Sequence, residues 1–152
     1  MKQNRFSFSI MLLLLAAGFF LRPALAGDAP VAHDRLVMVC ANLSNAAALA
    51  SGGVATSVEE ESKRLAVLSD AAVRRKIFKL VDTIKASVST APRGSRPDIF
   101  AFSRNARLAL IDNRTEPFSG HQQYILDHPK RAQAAIMESV EDIKKALMQL
   151  KI

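Results

Sequence analysis

The chain has 152 residues with 21 basic and 14 acidic side chains, one cysteine and no tryptophan. One cysteine excludes an internal disulfide, so whatever domain forms must be held by packing. Abundant Ala, Leu, Val and Ile with few aromatics argue against a sandwich or barrel and for closely packed helices.

Residues 1–26 read as an address. Lys2 and Arg5 make a positive start, Ile10 to Leu21 is an uncharged apolar run, and Arg22-Pro23 precedes the small-residue triplet Ala24-Leu25-Ala26. That order predicts a secretory signal peptide cleaved before Gly27. The rival is an uncleaved anchor, but the run falls short of the ~20 residues a helix needs to cross a bilayer. Three basic residues leave with the signal, so 18 basic and 14 acidic residues remain and the net charge falls from +7 to +4. The expected product is exported, periplasmic or extracellular, with no transmembrane span in the mature chain. Residues 27–33 are expected to be a flexible leader and residues 34–152 one helical domain.

From Asp34 the positions Leu36, Val37, Val39, Cys40, Leu43, Ala47 and Ala50 recur at helical spacing, and Ser51-Gly52-Gly53 ends the run. A short buried strand at Leu36 to Cys40 is the competing reading. Cys40 reads as a small buried hydrophobe. Ser57-x-x-Glu60 has the form of a capping box and starts a second helix to about Leu68, with Glu59, Glu60 and Glu61 at its positive end.

Ser69 to Val88 predicts the helix around which the others pack. Val73, Leu80, Val81, Ile84 and Val88 lie within about 60° of Ile77 on the helical wheel, with Arg75, Lys79 and Asp82 opposite. Ser69 or Asp70 is its expected cap.

Pro92, Gly94 and Pro97 punctuate a loop, after which Asp98 can cap a further helix. Residues 99–111 fit two periods. Ile99, Phe102, Ala106 and Ala109 form a helical stripe, whereas Phe100, Phe102, Ala106, Leu108 and Leu110 alternate as in a small β-hairpin. The helix is preferred because Asn105-Ala106 is not a favoured hairpin turn. Pro117 and Gly120 mark another loop, and a short helical turn is expected through Gln122 to Leu126. The last helix begins with Asp127 or His128 as cap and Pro129 in its first turn. Val140, Ile143, Leu147 and Leu150 lie within about 40° of Ile136, which predicts a stripe that packs on Ile77 to Val88. The fold expected is an all-α, single-domain irregular bundle of four to five helices.

The chemistry is sparse. C-x-x-C, C-x-x-C-H, H-E-x-x-H, the phosphate-binding glycine loop and G-x-S-x-G are all absent from the sequence. Arg93, Arg96, Arg104, Arg107 and Arg114, with only Asp98 and Asp112 between them, form a basic stretch. Arginine's planar fork suits carboxylate, phosphate or sulfate. The leading expectation is therefore a small binding or accessory protein whose partner is an envelope or extracellular protein or an anionic small ligand, with no cofactor. Nucleic acid is not expected as a partner of an exported chain. One alternative is a cofactor-free enzyme of isomerase or lyase type that holds an anionic substrate with these arginines. Another is a haem or metal carrier through His121 and His128, which would need further ligands. Asn42-Leu43-Ser44 and Asn113-Arg114-Thr115 are glycan acceptors only in a eukaryotic secretory route.

Overall fold

The computed structural model describes residues 31–114 and 127–150, and the fold below is that of the unit Val31–Gln149. Among the described residues there are five α-helices and no strand: α1 His33–Ala50, α2 Val58–Leu65, α3 Asp70–Ser87, α4 Arg96–Ile111 and α5 Pro129–Gln149, with 3-10 turns at Val88–Thr90 and Arg93–Ser95. The expected all-α bundle is what the chain forms.

The centre of the bundle is α1, a correction to the expectation that Ser69 to Val88 would fill that place. From Leu36 to Ala50 the segment has no charged residue, and a helix apolar all round finds its most favourable place inside. Leu36, Val39, Cys40, Leu43, Ala46, Ala47 and Ala50 are buried on one face and Val37, Ala41, Asn42 and Asn45 on the others, so burial runs round the helix. Small side chains let neighbours approach closely, and α2, α3 and α4 all pack on α1. The strand considered for Leu36 to Cys40 is part of this helix. The helix ends in a full Schellman closure: Gly53 N–H donates to the Ala48 carbonyl at 2.8 Å and Gly52 N–H to that of Leu49 at 3.1 Å. Gly52 has φ +82°, and a Cβ on Gly53 would sit 3.1 Å from the Ala48 oxygen. Gly52 thus takes the left-handed conformation that favours glycine, and a side chain at Gly53 would press on the α1 backbone.

Asn45, buried in α1, holds the loop that follows. Its Nδ2 donates to the Thr56 carbonyl at 2.8 Å and its Oδ1 accepts from Thr56 N–H at 3.0 Å. This pins the chain one residue before Ser57, whose hydroxyl accepts from Glu60 N–H at 3.0 Å and starts α2 as expected. Only Leu65 of α2 is buried, so α2 is a cover on α1, stopping at Leu65 rather than Leu68. Ser69 caps α3 by accepting from Ala72 N–H at 3.2 Å.

The faces expected for α3 and α5 are the buried ones. Val73, Ile77, Val81 and Ile84 of α3 and Ile136, Val140, Ile143 and Leu147 of α5 are inaccessible to solvent, as are Val39 and Leu43 of α1. Each such aliphatic side chain contributes about 1.5–3 kcal/mol when removed from water. Although α5 touches α3, its more extensive contact is with α4. The expected α3–α5 pairing is one side of a larger arrangement in which α4 lies between α1 and α5.

That position explains why residues 99–111 fitted two periods. Packed on both sides, α4 buries Ile99, Ala101, Ser103, Asn105, Ala106, Leu108, Ala109 and Leu110, a set too wide to show one clean stripe. The hairpin reading is overturned: the segment is a continuous helix. It also starts earlier than expected. Arg96 opens it, Pro97 occupies the first turn where a missing N–H costs nothing, and Asp98 lies within that turn rather than capping it. The short turn expected at Gln122 to Leu126 lies outside the described residues. Pro129 opens α5 as expected.

Candidate functional site

Three basic side chains, Arg35, Arg74 and His33, tie one end of the bundle together. Arg35, in the first turn of α1, donates through Nε to the Ala109 carbonyl at 2.5 Å and through Nη2 to the Leu110 carbonyl. Arg74, near the start of α3, donates to the Leu147 carbonyl of α5 at 2.6 Å and sits 5.8 Å from the centre of the Phe78 ring. His33 reaches Asp70 at 2.5 Å and the Ala66 carbonyl at 3.0 Å. The starts of α1 and α3 thus meet the ends of α2, α4 and α5. Two consequences follow: α4 and α5 run in the same direction, and the positive side chains of Arg35 and Arg74 lie against the negative ends of α4 and α5. His33 belongs to α1 rather than to the leader, one residue beyond the boundary expected from sequence.

The basic stretch is spread along α4. Arg93 is exposed on a single 3-10 turn ahead of the helix. Arg96 opens the helix, donates through Nη2 to the Ser89 carbonyl at 3.3 Å, and has a buried Nε with no hydrogen-bond partner. Arg104 is half-buried. Arg107 donates through Nε to Asp142 of α5 at 2.9 Å, and Arg114, beyond the other end, has its Nε 3.8 Å from Asp112. A helix of this length spans about 24 Å at 1.5 Å per residue. Arg93 and Arg96 therefore share one end, Arg114 marks the other, and Arg107 is engaged by a neighbouring helix.

Cys40 is fully buried, and burial pushes its thiol pKa up to about 11. It is a neutral core side chain, far from the thiolate a nucleophile requires. His128 is exposed just before α5, while His121 lies outside the described residues. Among the described residues no group of three or more His, Cys, Asp or Glu is placed to hold a metal ion, and no helix is long and apolar enough to cross a membrane. Asn42 is buried with its Nδ2 donating to the Met38 carbonyl at 2.9 Å, so a glycan there is incompatible with the folded protein. Asn113 is exposed, with φ 50°.

Sequence reading missed Arg35, Arg74, His33 and Asn45 as organising residues. The partners of Arg35 and Arg74 lie 74 and 73 residues away, and no local pattern announces them. Comparison with protein-family models, curated proteins and solved structures finds no match to this chain.

Proposed function

We propose that this is an exported, non-enzymatic binding protein that contacts an anionic group on its partner with the Arg93–Arg96 end of α4. The observation that carries the reading is the pair itself. Arg93 is exposed on the turn that leads into a 16-residue helix, and Arg96, three residues on, makes one long hydrogen bond while its Nε has none. With only that long bond on its exposed side, the Arg96 guanidinium keeps further N–H donors of its planar fork for the oxygens of a carboxylate, phosphate or sulfate group. The amino end of α4 adds positive potential in the same place.

The test uses a glutamate-rich peptide and inorganic phosphate as probes. Association is measured at low and high salt for the wild type, for Arg93→Ala/Arg96→Ala and for Arg75→Ala, an exposed arginine on α3. The double variant should bind at least tenfold more weakly at low salt and show a flatter salt dependence, because exposed charges are screened beyond a Debye length of about 8 Å. Arg75→Ala should bind like the wild type. Equal affinities for all three proteins at both salts would return Arg93 and Arg96 to an ordinary solvated rim.

A further inference from the structure

The imidazole of His33 is engaged at both nitrogens. Nδ1 lies 2.5 Å from Asp70 Oδ1 at the start of α3, and Nε2 lies 3.0 Å from the Ala66 carbonyl oxygen just past the end of α2. Both partners are acceptors. A neutral imidazole carries one N–H and can serve only one of them, whereas the imidazolium donates to both. Each surrounding element offers the ring negative charge or a carbonyl: Asp70 on α3, the Ala66 carbonyl at the negative end of α2, and Asp34 beside it on α1. The nearby cations are directed elsewhere. Lys63 and Arg64 of α2 face Glu59 and Glu61, Arg35 is tied to the end of α4, and Arg74 reaches the Leu147 carbonyl.

We propose that His33 is a proton-operated latch, which closes the start of α1 onto the α2–α3 corner as the imidazolium and releases that corner when the ring loses its second proton. In the neutral ring one nitrogen becomes an acceptor aimed at an acceptor, so one of the two bonds is lost. The corner carries Val67 at 85% and Leu68 at 37% exposure, so the latch governs how an apolar pair is presented to solvent. The hydrogen bond that His33 donates to Asp70 is the largest of the causes that raise its pKa above the ordinary 6.5, followed by the one it donates to the Ala66 carbonyl. A raised folded value means that the contribution is fully present below the ordinary imidazole value and is lost as pH rises through the folded one. The corner is held in mildly acidic surroundings and loosens in alkaline ones.

Nuclear magnetic resonance of the intact protein from about pH 5 to about pH 9 tests this. The His33 ring should titrate above the ordinary imidazole value of 6.5, and the methyl signals of Val67 and Leu68 should shift with the His33 midpoint. Asp70→Asn should move both midpoints down together, with Ser69 still capping α3, and Asp34→Asn should move them less. His33→Gln should remove the methyl titration altogether. A His33 midpoint at or below the ordinary 6.5, or Val67 and Leu68 signals indifferent to it, would overturn the latch.

Discussion

Arg35 Nε donates to the carbonyl of Ala109 at 2.5 Å, joining the first turn of α1 to the last turn of α4 across 74 residues of sequence. With the second bond to Leu110, this guanidinium takes two carbonyls that the helix itself leaves unpaired. Arg35→Met should cost about 2 kcal/mol, the range expected for hydrogen bonds to a charged group. Arg35→Lys should recover part of the loss, because it keeps the charge without the fork. Urea denaturation measures both, and midpoints equal to wild type would show that water replaces the guanidinium without cost.

The buried stripes of α3 and α5 predict a sharp contrast between faces. Ile84 and Ile143 are inaccessible to solvent, and aspartate at either site loses packing and buries an unpaired charge, a loss on the order of 3 to 5 kcal/mol. Exposed Arg75 should tolerate aspartate with a change of about 0.5 kcal/mol or less. Thermal melting of the three variants provides the comparison, and similar midpoints would contradict the packing.

Cys40 should behave as an inert thiol. With its pKa pushed up to about 11 by burial, it presents almost no thiolate near neutrality and no surface to a reagent. Labelling by a maleimide should be slow in the native protein and fast in denaturant, and fast native labelling would be evidence of access that the packing denies.

On the acid side, the pair formed by Glu141 of α5 and Lys85 of α3 sets a direction. The hydrogen bond from Lys85 is the largest cause that lowers the Glu141 pKa below its ordinary 4.5. A lowered folded value gives stability above the ordinary carboxylate range that is lost as pH falls through the folded one. Lys85→Met should therefore reduce the drop in melting temperature between neutral pH and about pH 3. An unchanged acid dependence would show that the pair is screened by water.

The buried faces of α3 and α5 follow from sequence because their charged residues lie opposite a stripe of aliphatic ones, and a helix half wet and half apolar has one way to turn. The caps at Ser57 and Ser69 and the glycines after α1 are likewise local chemistry, complete within a few residues. The central place of α1 is also written there, in the absence of charge from Leu36 to Ala50, although α3 has the cleaner amphipathic period. Tertiary structure alone decided the rest. It placed α4 between α1 and α5, settling as helix a segment whose burial on two sides erased its period. It brought Arg35, Arg74 and His33 to helix ends many residues away, and it divided the basic stretch, giving Arg107 to Asp142 while leaving Arg93 exposed at the start of α4. The physical reason is range: capping and periodicity act within a turn or two of helix, whereas the partner of a long charged side chain is chosen only when the helices have packed.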